Sequence, residues 1–163
     1  MDMKISTCTK EDFDEIIENF ELYWGNEKNE RLQKIRTLHH PMMLYELGDN
    51  AYVVKDDNKV IAYLFGIISR KEPLAYVHMI ATHRDYKRKG YARQLYEHFI
   101  EAAKQDGCKY IKAITSIGNE ESRRFHTGIG MRLIGETNTQ GIPVVSNYAG
   151  PGEDRVVIMK SIV

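Results

Sequence analysis

Apolar residues recur along this chain with two distinct periods. Early on, Phe13, Ile16, Ile17, Phe20 and Tyr23 or Trp24 fall at helical spacing. Thr9 can cap that helix, with Glu11 and Asp12 in the first turn, where the helix dipole favours anions. Gly25 and Asn26 should end it. A second, more polar helix is expected from Glu27 to about His39, with Pro41 interrupting it. Before the first helix, Met3 to Thr7 alternates like a short strand. After the second, the period shortens to that of strands. Ala51 to Lys55 and Val60 to Ile68 flank Asp56-Asp57-Asn58-Lys59, a polar turn joining a hairpin. Leu74 to Thr82 is a third, largely apolar and so central strand.

The strongest helical pattern follows a basic loop, His83 to Lys89. Ala92, Leu95, Tyr96, Phe99 and Ala103 line one face, and Gly107 sits where a C-terminal cap belongs. Lys109 to Thr115 reads as a strand, Asn119 to about Thr127 as a short helix, and Met131 to Glu136 and Arg155 to Ile162 as the last strands. Between these last two lies a long loop with Gly141, Pro143, Gly150, Pro151 and Gly152; such loops are often functional. The order β-α-α-β-β-β-α-β-α-β-β predicts one α/β (α+β) domain over residues 1–163. Its sheet should be mixed, of about seven strands, with helices on both faces.

Composition narrows the function classes. The chain has 163 residues, enough for one domain with a real core, and 23 basic residues balance 23 acidic ones. That neutrality argues against wholesale binding to DNA or anionic membrane. No stretch approaches the roughly 20 apolar residues of a membrane span. Residues 1–9 lack the apolar core of a signal peptide, and Cys8 and Cys108 read as free thiols of a reducing compartment. A cytoplasmic protein is expected.

The chemistry concentrates in Ile80-Ala81-Thr82-His83-Arg84-Asp85-Tyr86-Lys87-Arg88-Lys89-Gly90-Tyr91-Ala92-Arg93. A strand runs into a basic turn with a glycine, which runs straight into a helix. That arrangement aims backbone N–H groups and the positive end of a helix dipole at one point, and suits phosphate. A solvated basic loop before a helix is the competing reading. No Gly-Lys-Ser/Thr follows, which excludes a Walker loop, and the glycine spacing fits a Rossmann fingerprint poorly.

This stretch resembles the acetyl-coenzyme A motif of the GNAT acetyltransferase superfamily, Gln/Arg-x-x-Gly-x-Gly/Ala. Lys87 stands at the first position, where Gln or Arg is usual, with Gly90 at the fourth and Ala92 at the sixth. Asn119, His126, Gly130 and Met131 continue the resemblance at the spacing of the family's Asn…Tyr…Gly-Phe signature. The motifs cover roughly residues 60 to 135. The resemblance implies a GNAT fold whose fourth and fifth strands splay apart. It implies acetyl-coenzyme A as cosubstrate, with no metal. Pantetheine would lie along the backbone of Ile80, Ala81 and Thr82, beside Asn119, and the pyrophosphate on the amides of Arg88, Lys89, Gly90, Tyr91, Ala92 and Arg93. The acceptor would be an amine, on a small molecule or a protein, and a homodimer is allowed.

An ammonium cannot attack a thioester, so a base must take its proton. The departing thiolate, whose thiol has a pKa of about 8.5 by analogy with cysteine, is helped by an acid. His78 lies two residues before Ile80, so both project to one face of the strand. Tyr76-Val77-His78-Met79-Ile80-Ala81 resembles arylalkylamine N-acetyltransferases, in which a histidine on this strand relays the substrate proton. The alternative is a satisfied core histidine. His126 stands where the family usually has the tyrosine that protonates the thiolate; it is a proton donor there, or only packs near the sulfur. Tyr76 and Tyr91 are further candidates. For the acceptor, the resemblance points to the first two helices and the loop before the last strand, here Tyr23, Trp24, His39, His40, Tyr45 and the segment Asn138 to Asp154. Those aromatics fit a cation cage or the core. A non-catalytic acyl-coenzyme A sensor of the same fold is the rival from another class. A nucleic-acid module built on Arg84, Lys87, Arg88, Lys89 and Arg93 is disfavoured by net neutrality.

Overall fold

We describe a computed structural model of the chain, covering residues 3–25 and 27–163; Asn26, expected to help end the first helix, lies outside the described residues. Hydrogen-bonded strands follow the order β1-β2-β3-β4-β5-β9-β6 in a seven-stranded sheet, with a separate two-stranded ribbon, β7-β8. These are β1 (Ile5–Thr7), β2 (Ala51–Asp56), β3 (Lys59–Ser69), β4 (Leu74–Thr82), β5 (Tyr110–Thr115), β6 (Arg132–Ile134), β7 (Glu136–Thr137), β8 (Pro143–Val144) and β9 (Val156–Ser161). Strands β4 and β5 are parallel, whereas β1–β2, β2–β3, β5–β9 and β6–β9 are antiparallel, so the sheet is mixed as expected. Registered β4–β5 pairing ends at Val77↔Ala113, although β4 runs on to Thr82 and β5 to Thr115: the two strands cease to pair partway. The chain divides into two compact units, Met1–Ile67 with Met79–Glu101, and Ile68–His78 with Ala102–Val163.

In the first unit, Thr9 and Asp12 form a reciprocal capping box, which starts α1 (Lys10–Glu18) where the sequence places it. The expected single helix breaks at Asn19. Its side-chain amide bonds back to the Glu15 carbonyl at 2.9 Å, and a short α2 (Phe20–Trp24) follows. After α3 (Asn29–Leu38), Pro41 does not interrupt a helix but begins one, α4 (Pro41–Leu47), capped by the His40 ring. Proline lacks only an N–H that is unpaired at a first helical position anyway. The β2–β3 hairpin turns on Asp57 and Asn58, both at positive φ (45° and 66°), the geometry whose twist matches the strands.

Alternating residues of β2 pack to opposite faces. Val53 joins Phe13, Ile16, Tyr23, Tyr63 and Phe65 in one core cluster. Tyr52 instead meets His98 and Phe99 of α5 (Tyr91–Gln105), with ring centroids 4.6 and 6.3 Å apart. Helices thus cover both faces here, and β3 is correspondingly buried from Val60 to Gly66 without alternation. The face of α5 read from the sequence is buried at Leu95, Tyr96, Phe99 and Ala103.

In the second unit, β4 pairs with β5 and β5 with β9, while β6 closes the other side of β9. The expected strand over 131–136 is cut short by Gly135 at φ 112°, where a Cβ would strike the Val144 carbonyl oxygen. The chain then forms the β7–β8 ribbon inside what reads from the sequence as loop. Asn119 caps α6 (Glu120–Gly128), as expected. Cys8 and Cys108 are free and buried; burial, then Asp12, pushes the Cys8 thiol up to about 12, which disfavours the thiolate.

Candidate functional site

The basic loop after β4 is held by specific bonds within the first unit. The His83 N–H donates to the Ile61 carbonyl at 2.7 Å, and the His83 ring accepts from the Asp85 N–H at 3.1 Å. The Tyr86 hydroxyl donates to the Asp56 carboxylate at 2.6 Å, which with partial burial raises the phenol above its ordinary pKa. Arg88 and Gly90 both adopt positive φ, at 63° and 89°. The first helical bond of α5 runs from the Gln94 N–H to the Gly90 carbonyl, 3.0 Å. The amides of residues 91–93 therefore precede the helical ladder and are available to an external acceptor. Arg88, Lys89 and Gly90 are exposed, and nothing lies within 4 Å of where a Gly90 Cβ would stand. Such a turn can hold a phosphate group: left-handed residues alternate with an ordinary one, and a helix N-terminus follows. Arg93 is paired with Glu97 at 3.2 Å, which leaves its backbone for such a role. Along β4, Ala81 is buried while Ile80 and Thr82 are half-buried on the other face.

Of the aromatics expected to be either cage or core, Tyr23, Trp24 and His39 are tied into the interior of the first unit. The Tyr23 hydroxyl donates to the Val60 carbonyl at 2.7 Å. The Trp24 indole donates to the Tyr63 hydroxyl at 2.7 Å, and the His39 ring bridges Tyr63 Oη and the Ile35 carbonyl, each at 2.8 Å. His40 and Tyr45 remain exposed.

The second unit carries the other candidates. The Asn119 side-chain oxygen accepts from the Ser122 N–H at 3.0 Å, so half of its amide is used in capping. His126 is buried at 2% exposure, and burial lowers its pKa below the usual 6.5 against the opposing bond to Ser122. His126 Nδ1 stands 2.7 Å from the Ser122 carbonyl oxygen. A carbonyl only accepts, so Nδ1 bears the proton and the neutral ring presents Nε2 as a lone pair.

His78 is half-buried on the β4 face that also carries Tyr76, and their rings lie 5.9 Å apart edge to face. Tyr76 is in register with Lys112 of β5. The Lys112 ammonium sits 5.4 Å from the ring of Tyr148, in the loop between β8 and β9. Burial, then the nearby Tyr148, raises the Tyr76 phenol. Sequence reasoning misses Lys112 and Tyr148; the available signal is a lysine between apolar neighbours in an otherwise alternating strand.

The first unit thus gathers Ile80 to Thr82 with Arg88 to Arg93, and the second gathers His78, Asn119 and His126. The family model of the acetyltransferase (GNAT) family matches residues 13–131. The chain belongs to this family. The family is one of acetyltransferases. It is 30% identical over 94 residues to the aminoglycoside N(6')-acetyltransferase type 1 of Serratia marcescens; the match spans 56% of this chain and 62% of that relative. The fold is similar to that of PaiA N-acetyltransferase from Thermoplasma acidophilum, solved in complex with coenzyme A (TM-score 0.77, 16% identity, 99% of each chain). It is also similar to the ribosomal-protein-S18-alanine N-acetyltransferase from Escherichia coli (TM-score 0.67, 16% identity, 98% of this chain and 93% of that one). Among the described residues no helix is long and apolar enough to cross a membrane.

Proposed function

We propose that this GNAT chain, acting as one domain over residues 1–163, is an N-acetyltransferase that moves the acetyl group of acetyl-coenzyme A directly to a primary amine. The observation that carries this reading is the exposed turn at Arg88–Gly90, opening α5 with free amides and room beside Gly90. Its backbone would bind the pyrophosphate, with Arg88 and Lys89 adding positive charge. The backbone of Ile80, Ala81 and Thr82 would hold the pantetheine arm; Asn119, with half of its amide unused by the cap, is a further cofactor-binding candidate.

His78 is the base in this scheme. It takes the proton of the attacking amine as the new C–N bond forms, and the C–S bond breaks as the tetrahedral centre collapses. His126 returns a proton to the thiolate. Because its Nδ1 proton is engaged by Ser122, it can donate from Nε2 only as imidazolium, which burial disfavours.

Two measurements in sequence test the proposal. Acetyl-coenzyme A should raise the melting temperature, since it binds only the folded state. Thiol release should then appear with some member of a panel of small amines, aminoglycosides and peptides; the relative from Serratia is the reason aminoglycosides are in the panel. Binding without thiol release from any amine class would favour the acyl-coenzyme A sensor instead.

A further inference from the structure

From the β4–β5 face beside His78 we infer that the acceptor is a small amine that carries a carboxylate on the same skeleton. This inference rests on the acetyltransferase reading above. Every residue it uses lies in the second unit. In β4, Ala75 and Val77 are buried while Leu74, Tyr76 and His78 are half-buried; in β5, Ile111, Ala113 and Thr115 are buried while Lys112 and Ile114 are half-buried. The register Tyr76↔Lys112 puts tyrosine, histidine and lysine side by side on the more open face. From strand repeat and spacing, the Cα atoms of Lys112 and His78 are about 8 Å apart. An imidazole and an ammonium on such stems can address two groups a few bonds apart on one molecule.

Lys112 is the unusual member. It stands on an interior strand between β4 and β9, where a lysine is costly unless its charge is used. Among the described residues no carboxylate lies within ion-pair distance of it. The carboxylates of the neighbouring loop are engaged elsewhere: Asp154 accepts from the Asn147 N–H at 2.8 Å, and Glu153 pairs with Arg155 at 3.0 Å. What the ammonium meets is the ring face of Tyr148, 5.4 Å away. A ring face holds a cation in place without neutralising it. The loop bearing Tyr148 is itself braced, with Asn147 accepting from the Gly152 N–H at 2.7 Å and the Val145↔Arg155 bridge at its base.

The face therefore offers an oriented, uncompensated cation and two phenols next to the residue proposed as base. It repels a polycationic acceptor and attracts an amine whose other end is an anion. The tyrosines provide apolar walls with hydroxyls at the rim.

The test begins with acetyl-coenzyme A binding by thermal shift, then compares thiol release for matched pairs, tyrosine with tyramine and phenylalanine with phenethylamine. The carboxylate-bearing member is expected to have at least about a tenfold higher kcat/KM, the scale of one charge-assisted contact. Lys112→Gln should remove that preference through KM, and Lys112→Arg should keep it. Lys112→Glu should reverse it. The melting temperatures of the variants show whether they fold; if Lys112→Gln does not, Tyr148→Ala, which frees the ammonium from its seat, should weaken the same preference. Equal or better use of the decarboxylated amines overturns the inference, as does a preference unchanged in Lys112→Gln or an absence of turnover with every carboxylate-bearing amine while acetyl-coenzyme A still binds. In the first two cases acetyl transfer stands. A loss of acetyl-coenzyme A binding altogether would sink both readings.

Discussion

His126 Nδ1 donates to the carbonyl oxygen of Ser122 one turn earlier on α6, across 2.7 Å, and that bond decides what the ring can do. It fixes the tautomer, faces the lone pair of Nε2 the other way and ties the orientation of the ring to the helix backbone. Replacing His126 by phenylalanine should slow turnover with little change in acetyl-coenzyme A affinity, because proton donation matters chiefly in the transition state. Replacement by tyrosine should retain much of the activity and extend it to higher pH, since a phenol donates while neutral. Steady-state rates across pH read this directly. A phenylalanine variant as fast as the wild type would reduce the residue to packing.

The same burial has a consequence for stability. The folded His126 pKa lies below its ordinary 6.5, so the unfolded chain binds more protons than the folded one in acid. Stability from this group is complete above pH 6.5 and declines as the pH falls through the lowered value. His126→Phe should flatten that part of the pH–stability curve. Urea titrations at pH 7.5 and at pH 5 measure it, and identical pH dependence in both proteins would contradict the lowered pKa.

For His78, substitution by glutamine keeps hydrogen bonding and removes the base. A drop of about 10- to 1000-fold is expected in steady-state assays, mostly in kcat. If the rate is unchanged, water or another group takes the proton.

Gly90→Val tests the turn proposed to hold the cofactor. A valine at φ 89° is strained by about 1–3 kcal/mol, although no neighbour blocks its Cβ. The loop should therefore refuse the bound geometry while the fold persists, and the thermal shift with acetyl-coenzyme A should vanish. A normal shift would place the phosphate site elsewhere.

Gly66→Ala probes packing instead. The added methyl would run into the Phe99 ring of α5, and destabilisation of about 1–3 kcal/mol is expected without change in catalytic residues. Denaturant unfolding of the purified variant is the measurement.

What can be read from sequence follows local chemistry. Thr9 with Asp12, and Asn119 with Ser122, declare helix starts through side chains that reach only a few residues, and both are where the pattern puts them. The order of the main strands along the chain and the strand–turn–helix over 80–93 are legible for the same reason. Pro41 misleads because one residue type both breaks helices and opens them, and the choice depends on the His40 cap. The β7–β8 ribbon is too short to show periodicity, and Gly135 permits it through a close approach visible only in three dimensions. Lys112 is illegible in the sequence because the significance proposed for it is that, among the described residues, no carboxylate lies within ion-pair distance, which no spacing reveals.

The bonds joining Trp24, Tyr63, His39 and Ile35 all point one way. Indole gives to phenol, phenol to imidazole, imidazole to a backbone carbonyl. A queue with a single direction has no slack: each donor's place is set by the acceptor ahead of it, back from the Ile35 carbonyl, which can only accept. Three segments far apart in the chain, α2, the end of α3 and β3, thus share one electrical sense, set by a single backbone oxygen.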